Sequence, residues 1–305
     1  MRIVFAGTPE FAVPSLRALL NAGHEVVGAV TREDAPLGRK RVLTPSPVAV
    51  VAAEAGIPTL KANRLGEEAT AWVQDLAPDL GVIVAYGGLV REPLLSLPRL
   101  GWVNLHFSEL PRWRGAAPVQ RALQAGEQRL GVTVFRLVAA LDAGDVLTRD
   151  ASDFPAGTPA GEALAALAES GTGALLAAVD GLGSGALTGE PQTGEPSYAH
   201  KLEREDGRLD LTLPAAQVLA HWAGVTPEPG AFVMVDEKPL KVLSLRAVER
   251  GDEIQDPATA SIRGGRAILQ LADGDLELER VQPAGKAAMD GAAWLRGRGG
   301  KAVVR

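Results

Sequence analysis

Three residues carry the chemistry this chain could do: Asn104, His106 and Asp142. Val103-Asn104-Leu105-His106 reads as the end of a short apolar strand, and strand alternation sets the Asn and the His on one face. Asp142 follows His106 by 36 residues, in Leu141-Asp142-Ala143-Gly144-Asp145, a turn beyond another strand. None of the three is a hydroxyl or thiol beside a base, so they form no hydrolase triad. They suit a reaction whose substrate brings its own nucleophile, such as an amine. An Asn amide and an imidazole donate to an oxygen that turns negative in a tetrahedral intermediate. A carboxylate near the imidazole orients it, favours its charged form and helps relay a proton. A plainer reading stands beside this one, because Asn at a strand end and Asp-Ala-Gly-Asp are both common turn formers. The strand opens into a loop holding Arg112, Trp113 and Arg114, punctuated by Pro111, Gly115 and Pro118. A polar pair at the carboxyl end of a buried strand is where an open α/β sheet keeps its ligand site.

Composition narrows the field. With 305 residues there is room for two domains, each with its own core. The absence of Cys removes disulfides, thiolate metal sites and a cysteine nucleophile, and fits a cytoplasmic protein. Only four His are present, at 24, 106, 200 and 221, and no His, Asp and Glu cluster has metal-ligand spacing. A net charge of −6 argues against indiscriminate coating of nucleic acid, while leaving room for a local basic patch. No uninterrupted run of about 18 apolar residues marks a membrane span. The opening Met-Arg-Ile-Val-Phe-Ala-Gly-Thr-Pro-Glu reads as a first strand and turn rather than a secretory signal.

The elements that must position the site alternate strand and helix. A strand over 2–6, a helix over about 10–22 closed by Gly23, and a strand over 25–31 make a β-α-β opening. Gly7 stands alone where a dinucleotide site would show Gly-x-Gly-x-x-Gly, so the NAD reading is weak. Residues 32–47 form a long loop with a Gly38-Arg39-Lys40-Arg41 cluster, which by itself reads as a solvated face rather than a binding loop. Helices are expected over about 47–55, 67–76 and 118–125, with strands near 59 and over 80–84, 101–105, 132–137 and 146–148. An Ala/Leu helix spans about 158–180, and a Gly/Pro-rich crossing follows over 181–196. After a helix near 214–222 the pattern changes to short strands at 231–235, 240–247, 258–263, 266–271 and 275–280, the sign of a small β-barrel or sandwich. The end of the chain, 286–305, is basic, with five Lys or Arg against Asp290 alone.

Asn104-x-His106, Ser108-x-Leu110-Pro111 and Leu141-Asp142-Ala143-Gly144-Asp145 at this spacing resemble the 10-formyltetrahydrofolate-dependent formyltransferases. A longer set of blocks is similar to the branch of that family that acts on methionyl-initiator tRNA. These are Phe5-Ala6-Gly7-Thr8-Pro9-Glu10-Phe11, Pro45-Ser46-Pro47-Val48, Val84-Ala85-Tyr86-Gly87 and Arg112-Trp113-Arg114-Gly115-Ala116-Ala117-Pro118. Tyr198-Ala199-x-Lys201-Leu202 and Gln282-Pro283-Ala284-Gly285-Lys286-x-Ala288-Met289 complete the set.

The resemblance implies a Rossmann-like open-sheet formyltransferase domain over 1–190, a linker over 191–207 and an OB-like β-barrel over 208–305 that touches tRNA. It implies that Asn104 and His106 stabilise an oxyanion at the formyl carbon and that Asp142 supports the His and proton removal. Ser108, Glu109, Leu110 and Pro111 would lie along 10-formyltetrahydrofolate, with Tyr86, Gly87 and Gly144 near the pterin. Arg39, Lys40, Arg41, Lys201 and Lys286 would face the tRNA. No metal is implied, and a monomer is expected. Phe107 and Glu109 depart from the small residue and Leu of many relatives, and the family's Arg-Ala-Phe-x-Pro-x-Pro segment is here Ala223-Gly224-Val225-Thr226-Pro227-Glu228-Pro229. Two rivals follow: a formyltransferase acting on an amino-sugar nucleotide, and a non-catalytic OB-type RNA-binding protein.

Overall fold

The computed structural model describes residues 1–38, 40–251 and 258–305, arranged in two compact units. The first unit comprises residues 1–116, 131–152 and 164–198. Its elements begin with β1 (Arg2–Gly7), α1 (Val13–Asn21) and β2 (Glu25–Thr31), then the β3 (Ala35–Leu37) and β4 (Val42–Thr44) hairpin inside the long loop. Next come α2 (Pro47–Glu54), β5 (Thr59–Lys61), α3 (Glu67–Leu76), β6 (Leu80–Val84), β7 (Trp102–His106) and the two-residue β8 (Arg114–Gly115). After α4 (Pro118–Gln124), the chain adds β9 (Arg129–Arg136), β10 (Val146–Asp153), α5 (Ala160–Ser184) and the short β11 (Tyr198–Ala199).

The sheet order is β10-β9-β7-β6-β1-β2-β5, with β7, β6, β1, β2 and β5 parallel and β9 antiparallel to β7. Ile3, Val4 and Phe5 are completely buried, as expected of a central parallel strand covered on both faces. From β1 the chain moves outward to β2 and β5, then returns to lay β6 on the other side of β1. That is the switch point where the carboxyl ends of strands open a crevice. The loop around Gly7 and Tyr86-Gly87 lies at those ends, and so do Asn104 and His106. Ser46 secures the long loop's return: its hydroxyl caps α2 by accepting from the Ala49 amide (3.0 Å) and meets the Thr31 hydroxyl (2.6 Å).

By length and composition α5 could cross a membrane. Within the first unit, however, its Leu167, Leu175 and Val179 are buried, and a Cβ at Gly171 would stand 3.3 Å from Val132 and 3.5 Å from Leu105 of the sheet. The burial is that of a core helix.

The second unit comprises residues 117–130, 153–163 and 199–305. It contains α4, α6 (Ala215–Gly224) and an antiparallel sheet. The strands are β12 (Phe232–Val235), β13 (Lys238–Val248), β14 (Thr259–Arg263), β15 (Arg266–Gln270) and β16 (Asp275–Pro283), then β17 (Met289–Asp290) and, after α7 (Gly291–Arg296), β18 (Lys301–Val303). Their order is β12-β13-β16-β15-β14-β18. The ends of this path meet, because Met234 and Arg305 exchange both backbone hydrogen bonds at 2.6 and 2.8 Å. That pair draws the two ends of the path together at one point, so the sheet curls into a partly closed barrel. Much of the basic end of the sequence is therefore structural: Trp294 and Leu295 of α7 enter the core, β18 pairs with β14, and Arg305 beyond it reaches Met234 of β12. α6 is fastened to β13 by the Trp222 indole N–H, which donates to the Val242 carbonyl at 2.9 Å.

Candidate active site

β7 positions the first two residues. Its neighbours fix the register on both sides, with Asn104 opposite Ile83 of β6 and Phe135 of β9. The strand runs to His106, one residue further than its apolar pattern, because the antiparallel pairing with β9 places His106 opposite Thr133. Asn104 is half-buried, and its side-chain amide makes no hydrogen bond among the described residues. It is a donor with an open partner position.

His106 is 6 % exposed, with its ring edge-on to Phe135. Its Nε2 lies 2.9 Å from the Trp113 carbonyl. A carbonyl only accepts, so Nε2 carries the proton and Nδ1 of the neutral ring presents a lone pair. That Nδ1 is 4.0 Å from Asp142 Oδ2, beyond hydrogen-bond length. Burial pushes the imidazole pKa below its ordinary 6.5, outweighing the opposing pull of the Asp142 carboxylate and the Trp113 carbonyl. The sequence reading made His106 an oxyanion donor. In this geometry its N–H is engaged, and donation to a substrate oxygen requires the Trp113 carbonyl to be exchanged.

Asp142 is buried and adopts a left-handed backbone (φ +45°), a region that Asp tolerates better than most residues. Its carboxylate Oδ2 accepts the Gly115 amide N–H at 2.8 Å. The turn is clamped from a distant part of the chain. Gln192 Nε2 donates to the carbonyls of Asp142 (2.8 Å) and Gly144 (2.9 Å), and Arg114 Nη2 donates to Gln192 Oε1 (2.6 Å). Gly144 is obligatory here, since a Cβ would stand 1.8 Å from the Arg136 carbonyl oxygen.

The 108–111 segment is held mainly by the protein. Ser108 Oγ donates to the Arg112 carbonyl (2.6 Å), and Thr133 Oγ1 donates to the Ser108 carbonyl (2.7 Å) while accepting the Leu110 amide (3.1 Å). Arg149 Nη2 donates to the Leu110 carbonyl at 2.8 Å. The departures from the family pattern have packing partners. Phe107 meets Phe11 edge-on at 5.4 Å, and the Glu109 stem lies over Gly131, where a Cβ would come within 2.5 Å of it.

Tyr86 contributes only its backbone to the crevice. Its ring is buried with Trp102 and Leu94, and its hydroxyl donates to the Ala62 carbonyl at 2.6 Å. Burial pushes its phenol above the ordinary 10. The Gly87 carbonyl accepts from Arg32 Nη2.

Lys40 and Arg41 stand exposed between β3 and β4, whereas Arg39 lies outside the described residues. Lys201 and Lys286 are exposed in the second unit. Among the described residues no group of His, Asp and Glu could hold a metal. Sequence reasoning missed Gln192 and the roles of Thr133 and the Trp113 carbonyl. Gln192 sits in the Gly/Pro-rich 181–196 crossing and carries no local signal.

The family described as "Formyl transferase" matches residues 1–179, and "Formyl transferase, C-terminal domain" matches 201–299. A relative named methionyl-tRNA formyltransferase, from Leifsonia xyli subsp. xyli, is 54% identical over 304 residues and is covered completely, as is this chain. Among solved structures, WlaRD, a sugar 3N-formyl transferase crystallised with dTDP and 5-N-formyl-THF, aligns over 94% of this chain and 99% of its own. Its TM-score is 0.70 at 14% identity. HypX from Aquifex aeolicus in complex with tetrahydrofolic acid aligns over 97% of this chain at a TM-score of 0.65 and 19% identity. The alignment spans 47% of the longer HypX chain. At these identities the two structures speak for the fold. With both regions matched and a relative sharing half its residues from end to end, the chain belongs to the formyl transferase family.

Proposed function

We propose that this protein transfers a formyl group from 10-formyltetrahydrofolate to the α-amino group of methionyl-initiator tRNA. The observation that carries the chemistry is the unpartnered amide of Asn104, two residues from a buried neutral imidazole that faces a carboxylate. That set lacks a nucleophile and supplies a donor and two proton acceptors, which is what an attacking amine needs. The full-length relative named methionyl-tRNA formyltransferase supports the acceptor.

10-Formyltetrahydrofolate supplies the formyl carbon as a group ready for transfer. Asn104 donates to the formyl oxygen as negative charge develops there, and His106 joins it by releasing the Trp113 carbonyl. The Nδ1 lone pair and the Asp142 carboxylate take up the proton that the amine loses on forming its new C–N bond. The proton is returned to the folate nitrogen as the old C–N bond breaks. Residues 108–111, the backbone at 86–87 and Gly144 line the folate. The 39–41 cluster, Lys201 and Lys286 face the tRNA, with residues 1–190 catalytic and 208–305 contacting RNA.

The likeness to WlaRD keeps an amino-sugar nucleotide as the rival acceptor. Formyl transfer by the purified protein, with methionyl-tRNA and an amino-sugar nucleotide offered in parallel, decides between them. Formyl on methionyl-tRNA is the expected result. Formyl on the sugar alone would retain the site and discard the acceptor.

A further inference from the structure

Two consecutive peptide groups beside the site are held at both ends. In the Arg112–Trp113 peptide the Arg112 carbonyl accepts from Ser108 Oγ at 2.6 Å, and the Trp113 amide donates to Ser197 Oγ at 2.9 Å. In the Trp113–Arg114 peptide the Trp113 carbonyl accepts the His106 Nε2 proton at 2.9 Å, and the Arg114 amide donates to the Ser197 carbonyl at 2.8 Å. The next amide, that of Gly115, goes to Asp142 Oδ2. Ser197 also donates its own amide to the Pro111 carbonyl at 3.3 Å. A half-buried serine, in the crossing that the sequence presents as a linker, is thus bonded by side chain and backbone to the loop that engages His106.

Trp113 shows why the loop needs these bonds. It joins the two peptides at φ +59°, a left-handed value that is a genuine outlier for a bulky aromatic residue. Such a backbone persists only where its surroundings over-determine it. What the arrangement secures is the position of a proton. His106 has two acceptors beside it, the Trp113 carbonyl at Nε2 and the Asp142 carboxylate 4.0 Å from Nδ1. A charged acceptor makes the stronger hydrogen bond. With the Trp113 carbonyl turned away, the neutral ring would carry its proton on Nδ1 and close on Asp142. Nε2 would then hold a lone pair and could not donate to a formyl oxygen, and the Nδ1 lone pair that receives the amine's proton would be gone.

We propose that Ser197 is a positioning residue for formyl transfer: its hydroxyl, through the Trp113 peptide, holds the His106 proton on Nε2 and leaves Nδ1 open toward Asp142. The proposal rests on His106 acting in the reaction given above. Ser197→Ala removes only the hydroxyl, since the backbone bonds to Pro111 and Arg114 survive any side chain. The test compares Ser197→Ala and Ser197→Thr with the unmodified protein by steady-state formylation of methionyl-tRNA, by nitrogen-15 NMR of labelled histidine rings, and by thermal melts. A His106→Gln spectrum assigns the ring among the chain's four. The unmodified protein should show His106 as the Nε2–H tautomer. In Ser197→Ala an Nδ1–H population should appear, and kcat should fall by roughly tenfold or more, with KM and melting temperature little changed. Ser197→Thr keeps the hydroxyl and should restore both tautomer and rate. A Ser197→Ala variant whose His106 stays wholly Nε2–H overturns the proposal whatever its rate, because Ser197 would then only brace the loop. An Nδ1–H ring in the unmodified protein overturns it equally. Absence of any formyl product from the unmodified protein overturns the reaction assignment instead, and an Nδ1–H signal in Ser197→Ala would still uphold the hold of Ser197 on the ring.

Discussion

Asn104 and His106 share a strand face but differ in their hydrogen bonding. The Asn104 amide is open, whereas the His106 N–H is engaged by Trp113. Replacing Asn104 by Ala therefore removes a donor without orphaning any protein group. The expected outcome is a kcat loss of about 10²–10³, equivalent to ~2.7–4 kcal/mol, with an unchanged melting temperature. A variant that melts early while retaining kcat would make Asn104 structural instead. Gln192 acts one step removed, through the two carbonyls of the turn that presents Asp142. Gln192→Ala leaves those carbonyls and Arg114 short of a partner, and a stability loss of about 1–3 kcal/mol is expected in urea titration. If the clamp also places Asp142, kcat should fall by up to about 10²-fold with a smaller change in KM. Loss of stability alone would restrict Gln192 to holding the loop.

At the scale of elements, each unit depends on one buried junction. In the first it is β7, paired with β6 and β9, which brings the Asn-His pair to the carboxyl ends of the strands. In the second it is α6 on β13, where Trp222 is 3 % exposed and its indole is bonded to Val242. Trp222→Ala empties a large volume and leaves that carbonyl unpaired. A loss of about 3–5 kcal/mol is expected, read as an early unfolding transition in calorimetry. The β3–β4 hairpin lies at the other extreme. Leu37, Val42 and Leu43 are more than half exposed around Lys40 and Arg41. An apolar rim around exposed cations contributes little to folding and is available to a partner.

For the whole molecule, proton binding sets the pH range of stability. His24 and His106 are both held below their ordinary 6.5, chiefly by burial, so the unfolded chain takes up protons at a pH where the folded chain does not. Their contribution is present above about 6.5 and declines as pH falls below it. Asp79, Asp206, Asp210 and Glu279 are held below the usual carboxylate range, led by backbone hydrogen bonds at Asp79 and Asp206 and by hydroxyl hydrogen bonds at Asp210 and Glu279. Their contribution is lost at lower pH, and the sign is the same. Urea midpoints should decrease from pH 7.5 to pH 5.5 and fall further toward pH 4. His24→Asn should flatten the first step, and a midpoint that rises on acidification would contradict the assignment.

Residue order was sufficient for the elements whose signals are local. β2 at 25–31, α3 at 67–76 and β6 at 80–84 appear with the bounds their apolar periods predict, because turn residues flank each run. The types of Asn104, His106 and Asp142, and their place beyond strands, were legible for the same reason. The chain ends, short strands and long-range contacts were not. Three-residue β18 has too few positions to show a period, so from sequence the basic tail reads as a charged end rather than a strand paired with β14. Gln192 lies 50 residues from Asp142, and no periodicity links them. Sequence determined which groups could do the chemistry. Only tertiary structure decided that the His106 proton rests on Nε2, that Asp142 is set in a left-handed turn, and that Gln192 clamps that turn. Each of these depends on where distant backbone passes, which local side-chain pattern does not encode.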